Sequence, residues 1–170
     1  MIWQKIVELN PTPWNLLQYA DQLGLSGKLD KAEEIVKNIR INDVPANFKF
    51  VYYVRMGMIY QDQYQIKKAI GEFKKSIKIG TEETYPYIFL AVLLKKQKKL
   101  EEAEKILLEA LNKKGDIDEV YYNLSMIYAR KENYTDAITM MKECLKIDIN
   151  YPNAKAFLED FENIAKIMKG

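Results

Sequence analysis

Residues 98–111, KKLEEAEKILLEAL, read as an amphipathic helix with one small residue, Ala103, near its start. Alanines recur at Ala69 and Ala137, each 34 residues from Ala103, and the same residue types return around them. Tyr53, Tyr87 and Tyr121 hold that interval, as do Met56, Leu90 and Leu124. The small residues Gly57, Ala91 and Ser125 follow, then Tyr60, Leu94 and Tyr128. After each alanine come Phe73, Leu107 and Met141, and then the small residues Ser76, Ala110 and Cys144. A register kept at so many positions marks an internal repeat.

Each unit reads as two helices. FVYYVRMGMIYQ (50–61) is apolar at spacings of three and four, DQYQ makes a polar turn, and IKKAIGEFKKSIKI (66–79) is periodic again. The small residues on both helices predict a close approach of two backbones, with Ala103 facing its partner helix in the same unit. A larger side chain at such a contact overpacks it by roughly 1–3 kcal/mol. A diverged unit comes first: Tyr19, Ala20 and Leu23 on one helix, Ala32 and Val36 on the next. Three extra residues before Ala69 fall in INDVPANF. After the fourth unit, NAKAFLEDFENIAKIMKG reads as a single capping helix, with Leu158 continuing the Leu90 and Leu124 series. Glu159, Asp160, Glu162, Asn163 and Lys166 supply the polar surface that a terminal cap requires.

Composition narrows the function classes. With 26 basic and 24 acidic residues, the net charge of +2 gives no global case for nucleic acid or an anionic membrane. The chain has no histidine, which removes the commonest general base and metal ligand together. No apolar run is long enough to span a membrane, and Lys5 and Glu8 interrupt MIWQKIVELNP too early for a signal peptide core. A soluble cytoplasmic protein is expected, without cofactor or metal. Cys144, the single cysteine, stands in the small-residue series of Ser76 and Ala110, so a packing role is expected over a reactive thiol. Glu82/Glu83 and Glu101/Glu102 suit helix starts, where acids complement the dipole. Asn123-Leu-Ser125 and Asn133-Tyr-Thr135 fit a glycosylation sequon, yet nothing in the sequence implies secretion. There is no phosphate loop, dinucleotide fingerprint or catalytic constellation, and no enzyme activity is expected.

The repeat resembles the tetratricopeptide repeat, with its W-x2-L-G-x2-Y, A-x3-F and closing proline on 34 residues. The second unit carries the resemblance best, in Tyr53-x2-Met56-Gly57-x2-Tyr60 and Ala69-x3-Phe73. The fourth gives Tyr121-x2-Leu124-Ser125-x2-Tyr128 and Ala137-x3-Met141. Thr81, Gly115 and Ile149 stand where the closing proline belongs, so the turns between units depart from the family. The resemblance implies an all-α, right-handed superhelical solenoid of helix-turn-helix units with a C-terminal capping helix. The expected boundaries are 13–49, 50–83, 84–117 and 118–151, with 153–170 as the cap and 1–12 as a partial repeat or short cap carrying Trp3, Ile6 and Val7.

In such arrays the first helix of each unit lines a concave groove that holds a peptide or a partner helix. Carried onto matching positions, the groove takes Val51, Val54 and Met58 from the second unit. The third contributes Tyr85, Ile88, Val92, Lys95 and Lys96, and the fourth Glu119, Tyr122, Met126 and Arg130. Trp14, Leu17 and Asp21 lie at one end. One branch of the family grips a chaperone's C-terminal carboxylate with Lys, Asn and Arg. Its positions here read Leu17, Asp21, Arg55, Tyr85 and Phe89, or Val54, Met58, Phe89, Glu119 and Asn123, so a chaperone-tail adaptor is not expected. The floor is rich in Met and Tyr instead, which suits an apolar peptide or amphipathic helix of a protein partner. The alternative is a self-assembling scaffold joined through Trp3, Trp14 and Leu17. Lys67, Lys68, Lys74, Lys75 and Lys78, with Lys95, Lys96, Lys98 and Lys99, read as a solvated outer face before a nucleic-acid surface.

Overall fold

The computed structural model describes residues 2–168. The chain falls into two compact units, Met1–Thr81 and Glu82–Gly170. The first holds α1 (Ile2–Leu9), α2 (Pro13–Leu25), α3 (Leu29–Asn38), α4 (Lys49–Asp62) and α5 (Ile66–Ile79). Two single 3-10 turns, Ile41–Asp43 and Ala46–Phe48, occupy the INDVPANF insertion. The second unit holds α6 (Tyr85–Lys96), α7 (Leu100–Ala110), α8 (Ile117–Arg130), α9 (Tyr134–Ile147) and α10 (Ala154–Ile167). It is an all-α helical repeat fold.

Helices pair as α2 with α3, α4 with α5, α6 with α7 and α8 with α9. Ala32, Ala69, Ala103 and Ala137 are fully buried, so the small residue of the opening stretch does face the pair contact. Gly57 shows why that seam demands small residues: a Cβ there would stand 2.6 Å from Cε1 of the Phe73 ring. In the last pair Ser125 uses the same proximity differently, its hydroxyl donating to the Ala137 carbonyl at 2.6 Å. Cys144 is fully buried, and burial pushes its thiol up to about 11, as a packing residue's would be.

The turn inside each pair is one motif made four times. Gly27, Tyr64, Lys98 and Glu132 all adopt positive φ, between 59° and 76°. The following amide then reaches back five residues, as Gln65 N does to Tyr60 O at 2.7 Å and Lys99 N to Leu94 O at 3.0 Å. Only the first of the four is a glycine. At the starts, Thr12 accepts from Asn15 N at 3.2 Å with Pro13 behind it, and Asn133 accepts from Asp136 N at 3.2 Å.

The missing closing proline has a structural substitute in the second unit. Residues 82–84 run beside 113–115: Lys114 N donates to Glu82 O at 2.7 Å and Thr84 N to Lys114 O at 2.9 Å. The buried Thr84 hydroxyl accepts from Asp116 N at 3.0 Å. Gly115 has φ 112° here, and a Cβ on it would lie 2.8 Å from Thr84 Oγ1. Glycine satisfies both demands and proline neither. The segments leading into α6 and α8 are thereby tied together.

At the carboxyl end α10 packs on α9 through Phe161, Ala154, Met141 and Leu145, while Glu159, Asp160, Asn163 and Lys166 stay exposed. At the other end α1 packs on α2 with Trp3, Ile6 and Val7 half-buried. Leu17 corrects an expectation. It is fully buried, so it joins neither an exposed apolar end nor a groove floor. Trp14 is 45% exposed and rests against the Phe48 ring at 5.3 Å.

Candidate functional site

The first helices of each unit lie side by side, α2 against α4 and α6 against α8. Of the groove residues read from sequence, those at one position of the repeat are withdrawn from the surface in the first three repeats, while Tyr122 at the same position of the fourth stays half-buried. Leu17, Val54 and Ile88 share that register and are buried, at 0%, 1% and 6% exposure. Val51 is buried as well. These residues back the face rather than form it. Met58, Tyr85, Val92, Lys95, Glu119, Tyr122 and Met126 are half-buried, and Lys96 and Arg130 exposed.

In the first unit the face is polar and closed on itself. The Arg55 guanidinium meets the Asp21 carboxylate at 3.0 Å and also donates to Met58 Sδ at 3.5 Å. Its Nε is buried with no hydrogen-bond partner among the described residues. Burial raises the Asp21 carboxyl above its ordinary range, and the Arg55 charge only partly offsets this. The crevice these residues share with Leu25, Ile59 and Asp62 is about 40 Å³, room for a few waters and not for a side chain of a partner.

In the second unit α6 presents Tyr85, Phe89 and Val92 at spacings of four and three, all half-buried on one stripe. The Tyr85 and Phe89 rings stand 6.2 Å apart, edge to face. Beyond Val92 the stripe turns polar. Lys95 Nζ donates to Asn123 Oδ1 at 2.9 Å, and Asn123 Nδ2 donates to Glu119 Oε1 at 2.9 Å and to the Glu119 carbonyl at 3.0 Å. The second Glu119 oxygen accepts from the Tyr151 hydroxyl. Burial lowers the Lys95 pKa, and the neighbouring Arg130 charge adds to that. Burial likewise holds the Tyr122 hydroxyl above its ordinary value.

The carboxyl-terminal segment limits this face on one side. Tyr122 lies 4.8 Å from the Tyr151 ring and 6.2 Å from that of Phe157, and Met126 packs into the same cluster. Sequence reasoning did not include Phe89, Asn123, Tyr151 or Phe157 among the site residues. Phe89 was signalled by its spacing from Tyr85 and Val92. Asn123 stands at a groove position in the sequence but falls away with the chaperone clamp; it is 2% exposed and acts through its neighbours. Its burial within α8 also speaks against its use as a glycosylation acceptor.

The outer lysines are partly engaged. Lys75 pairs with Glu72 at 2.8 Å and lies over the Tyr53 ring, and Lys68 lies over that of Tyr60. Among the described residues no group of three or more His, Cys, Asp or Glu is placed to hold a metal. No helix among them is long and apolar enough to cross a membrane.

The geometry has counterparts among solved structures. YrrB, a TPR protein with an unusual peptide-binding site, superposes at TM-score 0.73 with 17% identity, over 98% of this chain and 84% of its own. PilF of Pseudomonas aeruginosa does so at 0.78 and 17%, over 92% and 70%. The Arabidopsis OM64 TPR domain gives 0.64 and 14%, over 70% and 98%. At these identities the likeness is one of fold. No curated protein matches the sequence. The tetratricopeptide repeat family model matches residues 85–112 and 118–151, both within the second unit. That fold supports protein–protein interaction scaffolds in general, and this chain carries the tetratricopeptide repeat signature in two of its repeats on a helical repeat fold shared with these structures.

Proposed function

We propose that the protein is a non-enzymatic interaction module and that its first helices receive an apolar peptide or the apolar face of an amphipathic helix from a partner protein. The observation that carries the reading is the stripe on α6. Tyr85, Phe89 and Val92 keep part of their surface open although Ile88, on the same helix, is buried at 6%. Three large apolar side chains aligned and half-open suit the anchor residues of an incoming helix. The peptide-binding site named for YrrB, a protein of the same fold, supports a peptide as the class of ligand. The alternative of self-assembly through the amino-terminal end rests on less, because Leu17 lies in the core.

Val92→Glu tests the reading. An uncompensated charge in a buried contact costs several kcal/mol, enough to abolish a micromolar interaction. In the free protein the glutamate stays solvated, so the melting temperature should hardly change. Affinity capture from native lysate with mass spectrometry, run on both forms, should lose its specific partners in the variant. Capture undiminished in a stable variant would place binding elsewhere, and an unfolded variant would make Val92 a core residue.

A further inference from the structure

We infer that Lys95 reads a carboxylate side chain on the bound segment, an Asp or Glu lying one step beyond the apolar anchor that meets Val92. The inference rests on the peptide-binding reading and adds the chemistry of the ligand's next residue.

Lys95 is half-buried and makes no direct ion pair among the described residues. Its only partner among the described residues is the neutral Asn123 Oδ1 at 2.9 Å, leaving two of three ammonium donors uncommitted. Glu119, the acid whose charge acts on Lys95, is already engaged: one oxygen accepts from Asn123 Nδ2 and the other from the Tyr151 hydroxyl. Asn123 Nδ2 donates to both the Glu119 carboxylate and the Glu119 carbonyl, which fixes the amide by its nitrogen and leaves its oxygen aimed at Lys95. The lysine is therefore positioned rather than neutralised. Lys96 and Arg130 stand near it, and neither makes an ion pair among the described residues. Three cations against Glu119 leave a local excess of positive charge beside an apolar stripe.

A half-buried ammonium with free donors is satisfied best by a carboxylate, which gains charge-assisted hydrogen bonds where water is partly excluded. Val92 and Lys95 are three residues apart on α6, one helical turn. A ligand anchored at Val92 reaches Lys95 with a residue one turn along a helix, or two along an extended strand.

Selection from a random peptide library, displayed with its carboxyl ends fused so that only side-chain carboxylates are presented, tests this on wild type, Lys95→Met and Lys95→Glu. Wild type should enrich an aliphatic or aromatic residue with Asp or Glu at fixed spacing. Lys95→Met should keep the apolar residue and lose the acid, and Lys95→Glu should replace the acid with Lys or Arg. In a synthetic copy of the selected peptide, Glu→Gln should weaken binding roughly tenfold to wild type and little to Lys95→Met. Lys95→Gln, checked by its melting curve, serves if Lys95→Met does not fold. An apolar consensus without an acid, or with one that persists on Lys95→Met, overturns the role of Lys95 and leaves the binding face standing. No consensus from wild type overturns both. Binding only by peptides presented with free carboxyl ends would replace the side chain by a terminal carboxylate.

Discussion

On α4 the Arg55 guanidinium meets a carboxylate, Asp21, at 3.0 Å, whereas on α6 the Lys95 ammonium meets a neutral amide, Asn123, at 2.9 Å. Both cations sit on first-helix faces of the same repeat architecture. Arg55, Phe89 and Asn123 even share one position of the 34-residue register, and Asp21, Met58, Val92 and Met126 share another. What differs is closure. The first unit spends its polar residues on one another around a crevice of about 40 Å³, and the second leaves a positive charge and an apolar stripe facing outward. A repeat fixes the packing positions and frees the face positions, so neighbouring units of one fold can be scaffold and binding surface in turn.

The largest effect should come from the seam that both units share. Gly57→Val puts a Cβ 2.6 Å from the fully buried Phe73 ring, which has nowhere to go, and should cost about 3 kcal/mol in urea or thermal unfolding. Ala103→Leu in the second unit should cost roughly 1–3 kcal/mol by the same mechanism. Ser125→Ala removes one buried hydrogen bond to the Ala137 carbonyl and should cost about 1 kcal/mol. An exposed control, Lys99→Leu, should do little. If Gly57→Val cost no more than that control, the seam would be looser than the Phe73 contact implies.

The turns come next in size and run in opposite directions. Tyr64, Lys98 and Glu132 hold a left-handed conformation that disfavours side chains by roughly 1–2 kcal/mol, while Gly27 holds it freely. Lys98→Gly and Glu132→Gly should therefore stabilise by up to about 1 kcal/mol, and Gly27→Ala should destabilise by a similar amount. A drop in melting temperature for Lys98→Gly would mean that its side chain supports the turn in some other way.

The repeat architecture was legible because a close backbone approach imposes itself on sequence. No side chain beyond a hydrogen fits at Gly57 opposite Phe73, and Ala91 and Ser125 keep a small residue at the same position of the 34-residue interval. The face was legible only in part. Val51, Val54 and Ile88 have the spacing of groove residues, but one helix face is wide enough to border both a groove and a neighbouring helix, and periodicity does not say where the border runs. Tyr122 and Met126 were read correctly as first-helix residues. Their cover by Phe157 depends on the turn at Asn153, where φ is 62°, and no local pattern announces where the chain after such a turn will settle. The Asn123 network escaped for a similar reason: Lys95, Asn123 and Tyr151 lie 28 residues apart in each step, and only folding joins them, Asn123 and Tyr151 on the Glu119 carboxylate and Lys95 on the Asn123 amide.

The smallest effects test the comparison of charges most directly. Burial holds the Asp21 carboxyl above its unfolded value despite Arg55, so the folded state binds that proton more tightly than the unfolded state does. The ionised pair is thus a net burden at neutral pH, relieved as pH falls through the folded pKa. Asp21→Asn should change stability by less than about 0.5 kcal/mol at pH 7, and the wild type should gain no acid lability from this residue. Arg55→Met with Asp21 kept should be the worse single change, because it strands a half-buried carboxylate. For Lys95 the shift is downward, so the folded state binds its proton less tightly than the unfolded state. Its penalty is in place at pH 7 and disappears as pH rises through the folded pKa, below the ordinary lysine value of 10.5. Lys95→Met should therefore melt slightly higher than wild type at pH 7, with the advantage shrinking on the alkaline side. Thermal melts of the two variants at pH 5, 7 and 9.5 separate the cases. If Lys95→Met melted lower at pH 7, Lys95 would be a structural residue whose bond to Asn123 outweighs its burial, and the second unit would be as closed on itself as the first.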